Sequence, residues 1–195
     1  MVTTALPVKE PVTETVSAPK LVTGEELWAM DDIGPSELID GRIVKMSPTG
    51  GLHGTLESRL TYFLQHHLFE AGGGTVLNGE VGIYIQRKPD RIRAADVAFI
   101  STERLPTVPA GYLDAAPELV VEIMSPSDSW VGVRQKLEDY FSIGVDEVWI
   151  VEPENRVVLV YTSPTTLEKY DDHDVVHGSG PLEGFSLLLE KLFEG

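Results

Sequence analysis

Leu119-Val-Val-Glu-Ile-Met-Ser-Pro-Ser127 is an apolar run interrupted by one carboxylate and closed by a proline-containing break. From Glu118 to Met124 it lacks the polar alternation of a half-exposed strand, so it reads as a strand buried on both faces of a sheet. Downstream, Val133, Leu137, Tyr140 and Phe141 mark a helix of about 128–143, ended by Gly144. Val148-Trp-Ile-Val151 and Val157-Val-Leu-Val-Tyr161 are further strands, with Pro153-Glu-Asn155 as the turn between them. Leu167–Val176 reads as an edge strand, and Phe185–Phe193 as a short apolar segment.

Working upstream, strand-like runs at 92–100 and 75–86 are joined by a basic turn, Lys88-Pro-Asp90. Before them Leu52, Leu56, Leu60, Phe63, Leu64 and Leu68 recur at helical spacing, predicting a helix over about 52–71 that Gly72-Gly-Gly74 ends. Glu37-Leu-Ile-Asp-Gly-Arg-Ile-Val44 carries Asp-Gly between apolar runs, a hairpin signal because both turn residues tolerate positive φ. Thr23-Gly-Glu-Glu26 fits a capping box that opens a short helix. The order is helix, hairpin, helix, strands, helix, strands. It predicts one α/β (α+β) domain over residues 21–195, a mixed central sheet flanked by a long helix and a shorter one.

Met1–Lys20 holds prolines and threonines without a long apolar run, so it reads as a disordered leader rather than a signal peptide or membrane span. No apolar stretch reaches membrane-spanning length, and the expected location is the cytoplasm. Cysteine is absent, which removes disulfides and thiolate chemistry together. The net charge of −16 lacks the basic footprint of a general nucleic-acid binder. That charge is uneven: residues 101–195 carry −12 and residues 21–100 carry −4. The milder part holds the cluster Arg87, Lys88, Arg91 and Arg93, readable as a solvated turn or as a phosphate-facing loop. No GxSxG, P-loop or GxGxxG pattern is present. His173 and His177 have i, i+4 spacing but no further ligand motif, which is poor material for a zinc site.

Two residues do not belong where they stand. Glu122 lies among apolar neighbours, and burying an unpaired carboxylate costs several kcal/mol, on the order of a whole domain's margin. Asp96 stands in the same way in Ala94-Ala-Asp-Val-Ala-Phe-Ile100. Two carboxylates on neighbouring strands repel, and a divalent cation between them removes that penalty; oxygen ligands suit Mg²⁺ or Mn²⁺. Either acid is also open to a structural ion pair. Lys136 borders the buried face of its helix, as a snorkelling lysine or as a cation reaching the carboxylates. Glu37 is a further acid, on a hairpin strand, with Glu80 a weaker candidate. His53 starts a helix, as polar surface or as a general base or phosphate donor.

At these residues the chain resembles the Uma-type restriction endonucleases of the PD-(D/E)XK nuclease superfamily. The matching stretches are Glu37–Val44, Met46-Ser-Pro-Thr-Gly50 with His53, Ala95–Ile100, Leu119–Ser127, Lys136-Leu-Glu-Asp-Tyr140 and Gly144–Val151, in order from about 22 to 193. The resemblance implies a restriction-endonuclease-like core and a divalent-metal phosphodiesterase site acting on nucleic acid, DNA first. It implies Asp96 as the first motif acid, Glu122 as the second, Glu37 as the early acid and Lys136 as a lysine supplied from the following helix. With the carbonyl of Ile123, Asp96 and Glu122 are then the expected metal ligands. Glu37 and His53 are expected to support a second metal, the water or the substrate. Ala95 replaces the proline of the superfamily motif, and Met124 stands where its lysine would be, so the site depends on Lys136 reaching it. The alternative is a catalytically degenerate binding or assembly module on a nuclease fold. Restriction-type nucleases commonly act as dimers, which makes a homodimer a possible assembly.

Overall fold

A computed structural model describes residues 20–194 apart from Asp32. The expected leader therefore lies, but for Lys20, outside the described residues. The elements run α1 Gly24–Trp28, β1 Ser36–Ile39, β2 Arg42–Lys45, α2 Gly51–Ala71, β3 Gly74–Gln86, β4 Arg91–Ser101, β5 Leu119–Ile123, α3 Trp130–Ser142, β6 Glu147–Glu152, β7 Val157–Ser163 and β8 Thr166–Asp171. β9 Val175–His177, β10 Ser186–Leu188 and α4 Leu189–Phe193 complete the described chain.

The local signals act as their chemistry requires. Thr23 caps α1 with both halves of the capping box formed. Asp40 and Gly41 take φ of 50° and 75°, which turns the chain from β1 into β2 with the hand that strand twist favours. Ser129 accepts from the Gly132 N–H and starts α3.

Eight strands form one mixed sheet along the path β2-β1-β4-β5-β6-β7-β8, with β3 also paired to β4. β5 and β6 are parallel and α3 connects them. β5 is buried along its whole length because its two faces meet different helices. Leu119, Val121 and Ile123 pack with Leu56, Leu60, Leu64 and Leu68 of α2. Val120 packs with Val133, Leu137 and Tyr140 of α3. Glu122 shares the second face by strand alternation.

The sheet forks at β4. β3 pairs along one edge of β4 from Arg91 to Ser101. The other edge is shared by two strands that do not meet: β1 pairs at Leu38↔Ile92, and β5 pairs from Val97 to Phe99. Between those contacts, around residues 93–96, no paired strand residue is found on this edge among the described residues.

One expectation is corrected. The segment 167–176 is not a single edge strand. β8 ends at Asp171, and an Asp171–Asp174 turn follows, in which the Asp174 carboxylate accepts from the Asp171 N–H. β9 then leaves the sheet to pair with β10 in a small second one. The apolar residues of this return, Val176, Leu182, Phe185, Leu187, Leu189, Leu192 and Phe193, cover the outer side of the α2 core.

Leu60 has no exposed surface and sits at the centre of this layer. Leu60→Ala is expected to cost about 2–5 kcal/mol, read by urea denaturation as a lower midpoint with an unchanged slope.

Candidate active site

The fork explains why acids lie inside the sheet. Buried backbone N–H groups need acceptors, and here side chains provide them. Glu37 Oε1 accepts from the Ala94 N–H at 3.2 Å, and Asp96 Oδ2 accepts from the Ile123 N–H at 2.6 Å. Continuing the β4–β5 register by one residue sets Asp96 opposite Glu122. All three carboxylates are buried.

α3 faces this point with three side chains one turn apart, Lys136, Asp139 and Tyr140. Lys136 Nζ lies 2.6 Å from Glu122 Oε2 and 3.7 Å from Glu37 Oε1. Tyr140 donates its hydroxyl to Glu122 Oε1 at 2.5 Å. The Arg93 guanidinium bridges strand and helix, with Nη1 on Glu37 at 2.8 Å and Nε on Asp139 at 2.7 Å. Arg91 continues the chain of charges from Asp139 to Asp40, at 2.7 Å each. From α2, His53 Nε2 lies 3.2 Å from Asp96 Oδ2. A cleft of about 250 Å³ opens on the Lys136 side of this cluster, lined by Glu37, Arg93, Glu122, Lys136 and the start of α3, while Asp96 and His53 lie outside its lining.

The five residues singled out in the sequence fall into two contact groups on adjoining strands, Glu37 and Glu122 around Lys136 and Asp96 with His53. Lys136 does reach the carboxylates, from the helix rather than from position 124. Glu37 is not a solvated strand acid, and His53 is not polar surface: both are buried. Glu80 stands apart from this cleft, at the β3 bulge between Asn78 and Val81, on the His53 side. The basic cluster divides: Arg87 and Lys88 stand on an exposed turn, while Arg91 and Arg93 point into the fold. Arg91 and Arg93 are consumed by internal acids, and Arg87 pairs with Glu25 and Asp114. His173 is exposed beside Asp172, far from being a ligand cluster. The sequence pattern sets Tyr140 among core residues at helical spacing and Arg93 in a basic cluster, and gives Asp139 no role of its own; the i+3 step from Lys136 to Asp139 is the signal that joins them.

Burial pushes the Glu122 carboxyl up to about 7, against the lowering effect of Lys136. Burial disfavours the Lys136 ammonium, but the carboxylates of Glu122 and Glu37 outweigh it and hold this lysine protonated, above its usual range. The bond to Asp96 raises His53, with burial opposing. Tyr140 is driven well above the usual phenol range by burial and by Glu122, so it stays a donor.

Among the described residues no three His, Cys, Asp or Glu side chains converge as a ligand cluster. A divalent cation would therefore draw on two carboxylates and a backbone carbonyl. That donor set is hard oxygen and suits Mg²⁺ or Mn²⁺. Both described polar contacts of Asp96 fall on Oδ2, so Oδ1 is left to take a ligand. Glu122, raised by burial and by the Asp96 charge, is a carboxyl whose ionised form a cation would favour. These residues fit the group.

The Uma2 family model, described as "Putative restriction endonuclease", matches residues 25–190. A crystal structure described as that of "a putative nuclease belonging to DUF820", from Anabaena variabilis ATCC 29413, superposes with a TM-score of 0.74 at 21% identity. The match covers 88% of this chain and 97% of that one, and at this identity it speaks for the fold. No curated protein matches.

Asp139 holds two arginines, one of them buried, in place. Removing one partner of a buried pair strands the other charge, so Asp139→Ala is expected to cost about 3–5 kcal/mol. Calorimetric or urea unfolding checks this, and a loss below about 1 kcal/mol would contradict the role of the network.

Proposed function

This chain belongs to the Uma2 family of restriction-endonuclease-like proteins, and from that premise we propose that it is a divalent-metal-dependent endonuclease of nucleic acid, DNA first. The observation that carries the proposal is the Lys136–Glu122 pair on β5 with Asp96 bonded to the next backbone N–H, that of Ile123. Asp96, Glu122 and the carbonyl of Ile123 would hold Mg²⁺ or Mn²⁺. The chemistry such a cation supplies there is activation of water and neutralisation of phosphate charge.

The remaining roles follow from this chain's own contacts. Lys136 is held protonated by two acids, so it acts as a fixed positive charge toward a phosphate and not as a base. Glu37 has both oxygens engaged, by Ala94, Arg93 and Lys136, which makes it a positioning residue for the lysine. His53 orients Asp96 through Nε2. Tyr140 fixes the rotamer of Glu122.

One observation favours a second reading, a catalytically degenerate binding module. Both oxygens of Glu122 already accept hydrogen bonds from the protein, so the acid is satisfied without a ligand.

Calorimetric titration with Mn²⁺ separates the two. The wild type is expected to bind and the Asp96→Ala/Glu122→Ala variant not to. Cleavage of DNA in Mn²⁺ is expected to vanish in each single variant while thermal unfolding remains cooperative. Cleavage retained in both variants would sink the assignment. Absence of Mn²⁺ affinity and of cleavage in the wild type would favour the degenerate module.

A further inference from the structure

A second hollow, of about 370 Å³, is lined by residues that the proposed reaction does not use. One wall is apolar and aromatic, Leu27, Trp28 and Met30 from α1 and the chain after it with Tyr112, and Ser36, Gly79 and Glu80 make up a polar side. Trp28 is 57% exposed and Met30 38%. The aromatic wall is braced rather than loose. Trp28 meets Tyr112 edge-on with centroids 5.5 Å apart, and Tyr112 meets Tyr84 edge-on at 5.9 Å. The Arg87 guanidinium lies 3.3 Å over the Tyr84 ring. Tyr112 also lies against Gly82, where a Cβ would come within 2.1 Å of its ring, so the glycine is what lets the ring seat there.

Two links tie this hollow to the active-site residues, one along the chain and one through charge. Ser36, which lines it, immediately precedes Glu37. Glu80 lines it as well, and the Glu80 carboxylate is among the charges that hold the His53 imidazole above its ordinary pKa.

Charge decides what such a hollow can take. A protein that grips a duplex draws its affinity from lysines and arginines that release counterions from phosphate. This chain carries −16, Arg87, Arg91 and Arg93 are each paired with carboxylates of the chain itself, and the Lys45 ammonium at the hollow's rim donates to the Ile33 carbonyl. Stacking of a base on an aromatic ring does not depend on net charge, and every base has a face to offer. In a duplex both faces of each base are covered by its neighbours. A volume of this size lies within the range of small-ligand pockets.

We propose that this hollow seats one unpaired nucleobase, so that the substrate is single-stranded nucleic acid or a strand carrying an unstacked base. Trp28 supplies the stacking face, Met30 and Leu27 the apolar wall, and Glu80 an acceptor for a base N–H. The proposal rests on the nuclease reading and names its substrate class.

The test is fluorescence anisotropy with a fluorescein-labelled 12-nucleotide DNA strand and with the matching duplex, in EDTA to prevent turnover. The single strand is expected to bind the wild type at least about tenfold more tightly than the duplex, and Trp28→Ala to weaken that binding about tenfold or more. Trp28→Phe, which keeps a ring, is expected to stay within about threefold of the wild type. Equal or tighter binding of duplex overturns the proposal, as does unchanged affinity in a folded Trp28→Ala variant. Cleavage in Mn²⁺ is read beside it. Asp96-dependent cleavage that ignores both strandedness and Trp28 overturns the hollow and leaves the nuclease reading standing. No Asp96-dependent cleavage of either form overturns the nuclease reading, while the anisotropy result still judges the hollow.

Discussion

Two buried backbone N–H groups, those of Ala94 and Ile123, take their hydrogen bonds from the carboxylates of Glu37 and Asp96. They do so because β1 and β5 share one edge of β4 without meeting, which leaves the ladder open between them. An unpaired N–H there would cost on the order of 1–3 kcal/mol. The acids that close the ladder are then themselves buried charges, and each needs a partner. Arg93 meets Glu37, His53 meets Asp96, and Lys136 with Tyr140 meets Glu122. Both flanking helices are thus tied to the sheet at one point by polar contacts, while leucine and valine layers hold them elsewhere.

The same constraint sets the electrostatics. Asp96 and Glu122 stand across from one another in a place with little solvent, and Glu122 responds by titrating near neutrality. Lys136 relieves part of the repulsion but also spans to Glu37, so one ammonium serves two acids. The arginines of β4 are used up in the same economy, with Asp139 between them. The β4 arginines are thereby held by the chain's own acids. The exposed aromatic wall around Trp28 stands on a separate hollow, where stacking does not depend on that charge balance.

Much of this was legible before any coordinates. The Asp40-Gly41 turn, the α2 leucine spacing and the unbroken apolar run of β5 each report local physics, and each element formed where its pattern stands. Glu122 and Asp96 were visible because an acid in an apolar run is costly wherever the run is buried. Lys136, Glu37 and His53 were ambiguous, since a solvated reading suits the same letters; only burial separates the two. Arg91 and Arg93 read as a basic cluster because a sequence shows charge without showing its partner. The split of 167–176 between two sheets turns on an Asp-Asp-His-Asp turn that interrupts the β pattern only weakly.

The sequence by itself determined the elements, the mixed α/β class and the two carboxylates that must find partners, because periodicity, turn chemistry and the cost of a buried charge act over a few residues. Only the tertiary structure decided which partners those acids have. Residues as distant as Glu37, Arg93 and Asp139 meet because the sheet forks at β4 and α3 crosses back over the opening. Such a meeting is a property of strand order and register, and no stretch of the chain carries it alone.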